Sequence, residues 1–209
     1  MTIAKMKNKI WQILRAIRLW FYRLQIIHQT QEKTIVCNNC LGGVISHNFG
    51  LRHCSPFVNL WIPTSHFIDM LKNIDTLANG SFVNITPNNN QYPIALLNSR
   101  WEIHFMHYKS YEEACKKWSE RVDRMDVDNM YIILVETHSS TYEDLMQFDK
   151  LPFRNKIILS HKEYPNIKCS VKIEGYDGVG KNGEILWPSN RWGKCKYDSI
   201  DWLKFLELK

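Results

Sequence analysis

Across 209 residues no apolar run approaches the ~20 that a membrane-spanning helix needs, because charges interrupt every candidate stretch. Glycine and proline are scarce, at 9 and 7 residues, which excludes a collagenous or low-complexity chain. Six cysteines are too few for a disulfide-stapled scaffold. The first 31 residues contain no acid at all, and they lack the clean apolar stretch and small-residue cleavage site of a secretory leader. What is present is a 44% hydrophobic, 12% aromatic chain, enough for one α/β domain and hardly two.

The formal charge of +6 sits in that acid-free segment. Lys5, Lys7, Lys9, Arg15, Arg18 and Arg23 are its basic residues, and the remaining 21 Lys and Arg balance 21 Asp and Glu. A nucleic-acid-binding protein shows its basic face on the folded body, so no nucleic-acid partner is expected. Ile10, Ile13, Leu14, Ile17, Trp20, Phe21 and Leu24 recur at three- and four-residue spacing, which places them on one face of a helix. Lys9, Gln12, Arg15, Arg18 and Arg23 fall largely on the rest of the circumference, and Trp11, Leu19 and Tyr22 widen the apolar stripe. This pattern predicts a helix lying on an anionic membrane surface, where each Lys or Arg is worth about 1 kcal/mol. The bland alternative is packing on its own domain or on a second subunit. The expected organisation is a basic amphipathic helix over residues 1–31 and an α/β domain over residues 32–209. The expected location is the cytoplasm, peripheral on the inner face of the cell membrane.

The body alternates strand and helix patterns. Residues 33–37, 57–62, 81–85, 94–97, 101–108, 130–136, 156–160 and 167–174 read as strands. Helices are expected from Val44, from Thr64 or Ser65 to about Ala78, from Ser110 to about Met125, from Ser140 to Phe148, and after Asp198 or Ser199. Ser110 with Glu113, and Ser140 with Glu143, have capping-box spacing. The alternation predicts a single domain with a mixed or largely parallel sheet flanked by helices.

Several stretches together carry a resemblance. They are Asn38-Asn39-Cys40 with Gly42-Gly43, Gly50-Leu51, Ser55-Pro56 with Asn59-Leu60, His107-Tyr108, Glu113-Ala114, Trp118, Arg121, Arg124 and Asp128-Asn129. Phe148, Leu151-Pro152 and Asn155-Lys156 close the pattern. In order and spacing residues 33–160 resemble a bacterial family of unassigned function often labelled exopolysaccharide biosynthesis protein. The chain departs from that pattern at Cys37, where Ser is expected, at His47, where Tyr is common, and at Met125-Asp126, usually Ile-Asn. The resemblance implies an α/β fold and a cell-envelope glycan context. It supplies no reaction.

The chemistry must come from the residues. Asn38-Asn39-Cys40-x-Gly42-Gly43 follows a strand and precedes a helix, a setting where Cys40 is a candidate nucleophile and backbone N–H groups hold an oxyanion. Asn38 and Asn39 would donate further hydrogen bonds, and Gly42 and Gly43 would let a ligand approach the backbone. The alternative is a structural turn with a small buried thiol. Cys37-x-x-Cys40, even with His47, His53 and Cys54 nearby, lacks the second pair of a zinc site, so no metal site is expected. His107 is the candidate general acid or base, with His104 three residues before it in the same strand pattern. Arg121 and Arg124 lie three apart on one helix and suit a phosphate clamp, unless they form only a solvated face. Asp126-Val127-Asp128, together with Asn129, has the D-x-D form that holds a divalent ion in many glycosyltransferases. Gly178-x-Gly180-x-x-Gly183 matches the dinucleotide fingerprint in letters only, since Trp187-Pro188 follow where a helix should run. It reads as a loop, as a lid at most, and the nearby Trp187, Trp192, Tyr197 and Trp202 read mostly as packing.

The reading favoured by these residues is a transferase in cell-envelope or exopolysaccharide biosynthesis, with acyl transfer ahead of glycosyl transfer. Its donor would be a coenzyme A thioester or a nucleotide sugar, and its acceptor a glycan or lipid-linked sugar. Cys40 and His107 would be catalytic. Asn38, Asn39, Gly42, Gly43, Arg121, Arg124, Asp128 and Asn129 would bind ligand. The alternatives are a metal-dependent nucleotide-sugar glycosyltransferase and a non-catalytic glycan- or lipid-binding partner.

Overall fold

Strand β5 (Met130–Val135) reads MYIILV and is buried at every position. A strand apolar on both faces belongs at the centre of a parallel sheet covered on both sides. The computed structural model describes residues 3–26, 28, 32–178, 183–186 and 193–208, with side chains from residue 10 onward except those of Gly183 and Glu184. In it β5 lies between β1 (Thr34–Cys37) and β6 (Asn155–Ser160), and β7 (Ser170–Lys172) forms the far edge. All four strands are parallel, with Thr34 opposite Met130, Ile133 opposite Ile157 and Leu159 opposite Val171.

Alternate residues of this sheet feed two cores. Val36, Ile132, Leu134 and Ile158 face α3 (Thr64–Lys72), α4 (Tyr111–Val122), α5 (Tyr142–Asp149) and a small antiparallel sheet. That second sheet has the order β2 (Phe82–Asn84), β3 (Ile94–Leu97), β4 (Trp101–His104). Ile35, Cys37, Tyr131, Ile133, Val135 and Leu159 face α2 (Leu41–Phe49) and the C-terminal residues Tyr197, Trp202, Leu206 and Leu208. Two single turns, α6 (Gly183–Leu186) and α7 (Trp202–Phe205), complete that layer. The result is a mixed α/β fold flanked by helices and preceded by a long N-terminal helix, as the alternation of patterns implied.

Boundaries moved where local chemistry outvoted periodicity. The strand expected over residues 101–108 ends at His104, and Met106 N–H turns back onto the His104 carbonyl. Residues 57–62 form no ladder. Asn59 has φ 61°, and the backbone instead reaches sideways, Trp61 to His104 and Ile62 N–H to the Asn38 carbonyl. The capping box falls one residue later than expected, on Thr141 and Asp144. Ser140 is already spent, its hydroxyl 2.7 Å from Thr64 Oγ1 and 2.9 Å from Thr137 N.

The N-terminal helix α1 (Ile3–Gln25) docks by its basic side. Arg15 and Arg18 reach Asp198 at 2.9 and 2.6 Å, and Arg23 donates to the carbonyls of Asn48 and His47 at 3.1 and 2.7 Å. Tyr22 and Ile26 enter the core beside Phe49. The apolar stripe Ile10, Ile13, Ile17, Trp20, Phe21 and Leu24 points outward, each residue 41–55% exposed. Among the described residues no helix is long and apolar enough to cross a membrane.

Candidate functional site

The turn after β1 is built from within. Asn38 is fully buried, and its side-chain amide makes both bonds to Val135, donating to its carbonyl at 2.9 Å and accepting from its N–H at 2.8 Å. The side chain thereby continues the β1–β5 pairing after the backbone has left the sheet. Asn39 Oδ1 accepts from Leu41 N–H at 3.0 Å and from the Cys37 thiol at 3.3 Å. The amides at the start of α2 close around the Cys37 sulfur, whose thiol burial pushes up to about 12. Cys40 is 3% exposed and donates to the Leu60 carbonyl at 3.6 Å. A Cβ on Gly42 would stand 2.8 Å from Cys37 Cβ, and one on Gly43 3.1 Å from Val58 Cγ1. The close approach these glycines permit is therefore that of α2 to its own strand and to the following segment. Cys40 presents no surface to a substrate, and the side-chain oxygen of Asn39 faces inward. Within this turn Asn39 Nδ2 is the one side-chain atom buried without a partner among the described residues.

Beyond the carboxyl ends of the other strands, where open α/β sheets bind ligands, the space is also filled by the chain's own groups. The buried Glu136 carboxylate accepts from His161 N–H at 3.0 Å and Tyr164 O–H at 2.5 Å, and His161 Nδ1 lies 2.8 Å away. Thr64, Thr137, Ser139 and Ser140 bond to one another. The Trp61 indole is flanked by His104, edge-on at 4.7 Å, and by the exposed His138, stacked at 5.8 Å.

The basic groups converge elsewhere. Arg121, on the last turn of α4, donates to the Tyr108 hydroxyl and lies 6.0 Å over its ring. Tyr108 in turn donates to the Val58 carbonyl at 2.9 Å, which anchors it on the segment outside β1. Arg124 follows just after α4. His53, in the segment after α2, lies within Coulombic reach of Arg121, His47 and Arg124. Burial first, and the Arg121 charge next, hold its imidazole below the ordinary value, which favours the neutral form at pH 7. His53 Nδ1 and Arg124 Nε are buried without partners, and the Arg124 guanidinium makes no hydrogen bond among the described residues. The neighbouring carboxylates are engaged already: Glu32 by Arg52 at 2.8 Å and Cys54 at 3.2 Å, Glu120 by Lys117 at 2.8 Å. Two guanidinium groups and an imidazole with unpartnered nitrogens are donor chemistry of the kind that suits an anion.

The remaining candidates separate. His107 is exposed and stands beyond the end of β4, whereas His104 is buried with Nε2 2.5 Å from Glu102 Oε1, so the two do not share a face. Asp126, Asp128 and Asn129 lie at the amino end of β5, the edge opposite Asn38 and Cys40. Asp126 Oδ1 accepts from Asp128 N–H at 3.1 Å, a turn within the motif itself. Among the described residues no group of His, Cys, Asp and Glu could hold a metal ion. Gly178 lies against the His161 ring, while Gly180, Trp187 and Trp192 fall outside the described residues. Tyr197 and Trp202 are core. His53 was considered in the sequence only as a metal ligand. Its partners come from a helix some 70 positions away, and no spacing rule brings them together.

The fold is mixed α/β, and beside it Arg121, Arg124 and His53 form a cluster of basic side chains. The chain belongs to the bacterial family described as Domain of unknown function (DUF1919), whose model matches residues 12–207. A protein of Haemophilus influenzae described as uncharacterized is 37% identical over 175 residues, 84% of each chain.

Proposed function

We propose that the protein binds the phosphate or diphosphate of an intermediate in cell-envelope glycan assembly and acts there as a transferase. The observation that carries this reading is the convergence of Arg121, Arg124 and His53 with buried nitrogens left without partners. The glycan context comes from the resemblance to the exopolysaccharide-labelled family. In this reading Arg121 and Arg124 hold the anionic group of a nucleotide sugar, a lipid-linked sugar or coenzyme A. His53, kept neutral, accepts the proton of the acceptor hydroxyl as that oxygen bonds to the transferred group, while the group's bond to its donor breaks and the electron pair leaves with the donor's phosphate or thiolate, whose anionic part Arg121 and Arg124 hold. Cys40 and Asn38 shape the scaffold rather than react.

A thermal-shift panel tests it with pyrophosphate, nucleotide sugars, coenzyme A and a lipid phosphate mimic. A ligand at 100 times its Kd adds about 2.7 kcal/mol to stability. The expected result is a shift that pyrophosphate competes away, lost in Arg124→Ala and kept in Cys40→Ala. Coenzyme A as the effective ligand identifies acyl transfer, and a nucleotide sugar identifies glycosyl transfer. Shifts that persist in the Arg121→Ala/Arg124→Ala double variant, or no shift with any compound, overturn the reading.

A further inference from the structure

The outward stripe of α1 has the period of a helix–helix seam. Ile10, Ile13, Ile17, Trp20 and Leu24 are spaced 3, 4, 3 and 4, and Ile3 and Met6 extend the same series toward the amino end. That is an unbroken a–d heptad repeat, with Ile3, Ile10, Ile17 and Leu24 at a and Met6, Ile13 and Trp20 at d. The body docks on the opposite side of the helix, through Arg15 and Tyr22 at f positions. The seam is thus turned directly away from the rest of the chain.

We propose that this face is covered by α1 of a second copy of the same chain, in a parallel two-stranded coiled coil. Three observations favour a second copy over a lipid surface. The first is the narrow 3.5-residue period itself, which a lipid surface does not require. The second is charge placement. Arg15 and Arg18 are spent on Asp198, and Arg23 on the Asn48 and His47 carbonyls, so half the basic residues of the segment face the body and not a headgroup layer. In a parallel pair Lys9 at g meets Leu14 of the other copy, and Ala16 at g meets its Phe21, so no like charges oppose. An antiparallel pair would set Lys9 against the other copy's Arg23. The third is area. At 41–55% exposure the six side chains offer roughly 600 Å² per copy, or ~1,200 Å² in a symmetric pair, above the ~1,000 Å² a specific interface needs. Because f lies opposite the seam, the two bodies sit on outer flanks and do not collide.

The test is the mass of the full-length protein in solution by light scattering at 5–100 μM, a range of order set by ordinary dimer affinities. A dimer is expected, and Ile13→Glu/Ile17→Glu should convert it to a monomer of unchanged circular dichroism and melting midpoint, since both side chains point to solvent within one copy. Ile17→Cys should cross-link copy to copy on mild oxidation, while Gln12→Cys, off the seam, should not. Flotation with vesicles of phosphatidylcholine and phosphatidylglycerol runs in parallel. A monomer at all concentrations overturns the proposal, and a monomer that floats, with flotation lost in the Glu variant, assigns the stripe to lipid instead. An antiparallel dimer, in which Ile17→Cys fails to link but the mass is that of two copies, overturns the register.

Discussion

Arg15 and Asp198 form an ion pair at 2.9 Å across 183 positions of sequence, and Asp198 also accepts from Arg18 at 2.6 Å and from Cys195 N–H at 2.8 Å. One carboxylate, 12% exposed, therefore ties the first helix to the C-terminal turn.

Asp198→Ala should release α1 from the body. It leaves two guanidinium groups and a backbone donor without their shared acceptor, a loss of about 2 kcal/mol and ~4–8 °C in melting midpoint. Limited proteolysis after Arg15, Arg18 or Arg23 should accelerate. Unchanged cleavage at those bonds would mean that Tyr22, Ile26 and the bonds of Arg23 to the Asn48 and His47 carbonyls hold the helix without Asp198.

Asn38→Ala should cost about 2–4 kcal/mol, because Val135 loses both a donor and an acceptor in the fully buried sheet. Urea unfolding measures it. If the turn is scaffold and not site, pyrophosphate binding per folded molecule stays the same.

Gly42→Ala should also destabilise, by about 1–3 kcal/mol, since its Cβ would meet Cys37 Cβ at 2.8 Å between two backbones that cannot part. Gly175→Ala is the control for open space: no atom lies within 4 Å, and only the strain of φ +71° remains.

The pH dependence of anion binding follows from His53. Its pKa is held below the ordinary ~6.5, chiefly by burial, so below that pH the unfolded chain takes a proton that the folded one refuses. Its contribution to stability is complete above pH 6.5 and is lost as the pH falls. A bound anion offsets the Arg121 and Arg124 charges and raises the His53 pKa, so binding should take up protons and tighten as the pH falls from about 7.5 to 5.5, a window of about one unit either side of the free imidazole value. Calorimetric titration with pyrophosphate in buffers of different ionisation enthalpy reads the uptake. His53→Gln should abolish it, and a pH-independent Kd in the parent protein would count against His53 as a neighbour of the anion.

The central strand was legible because MYIILV carries no polar residue and so has no solvent face. The three-residue spacing of Arg121 and Arg124 keeps them near each other even though α4 ends at Val122 and only Arg121 lies on it. The other half of the cluster was not legible. His53 acquires its setting only when α4 packs against the segment after α2, and nothing local to His53 encodes that meeting. His107 was favoured over its neighbours by extending a strand four residues too far, past the point where His104 pairs with Trp61. The Asn-Asn-Cys turn shows the opposite failure. Its residue types suit catalysis, but Asn38 and Cys37 use the same hydrogen-bonding capacity to close the sheet edge and fill the start of α2.

Among the described residues the only ladder partner of β1 is β5, and its first pair, Thr34 with Met130, spans 96 positions. At ribosomal speeds of about 5–20 residues per second, that interval lasts roughly 5–20 s. During it β1 and the apolar stripe of α1 emerge with nothing to pair against. The chain thus carries an unpaired strand and an exposed apolar stripe until more than half of it is made, and a coiled coil formed early between nascent neighbours would shelter the stripe through that delay.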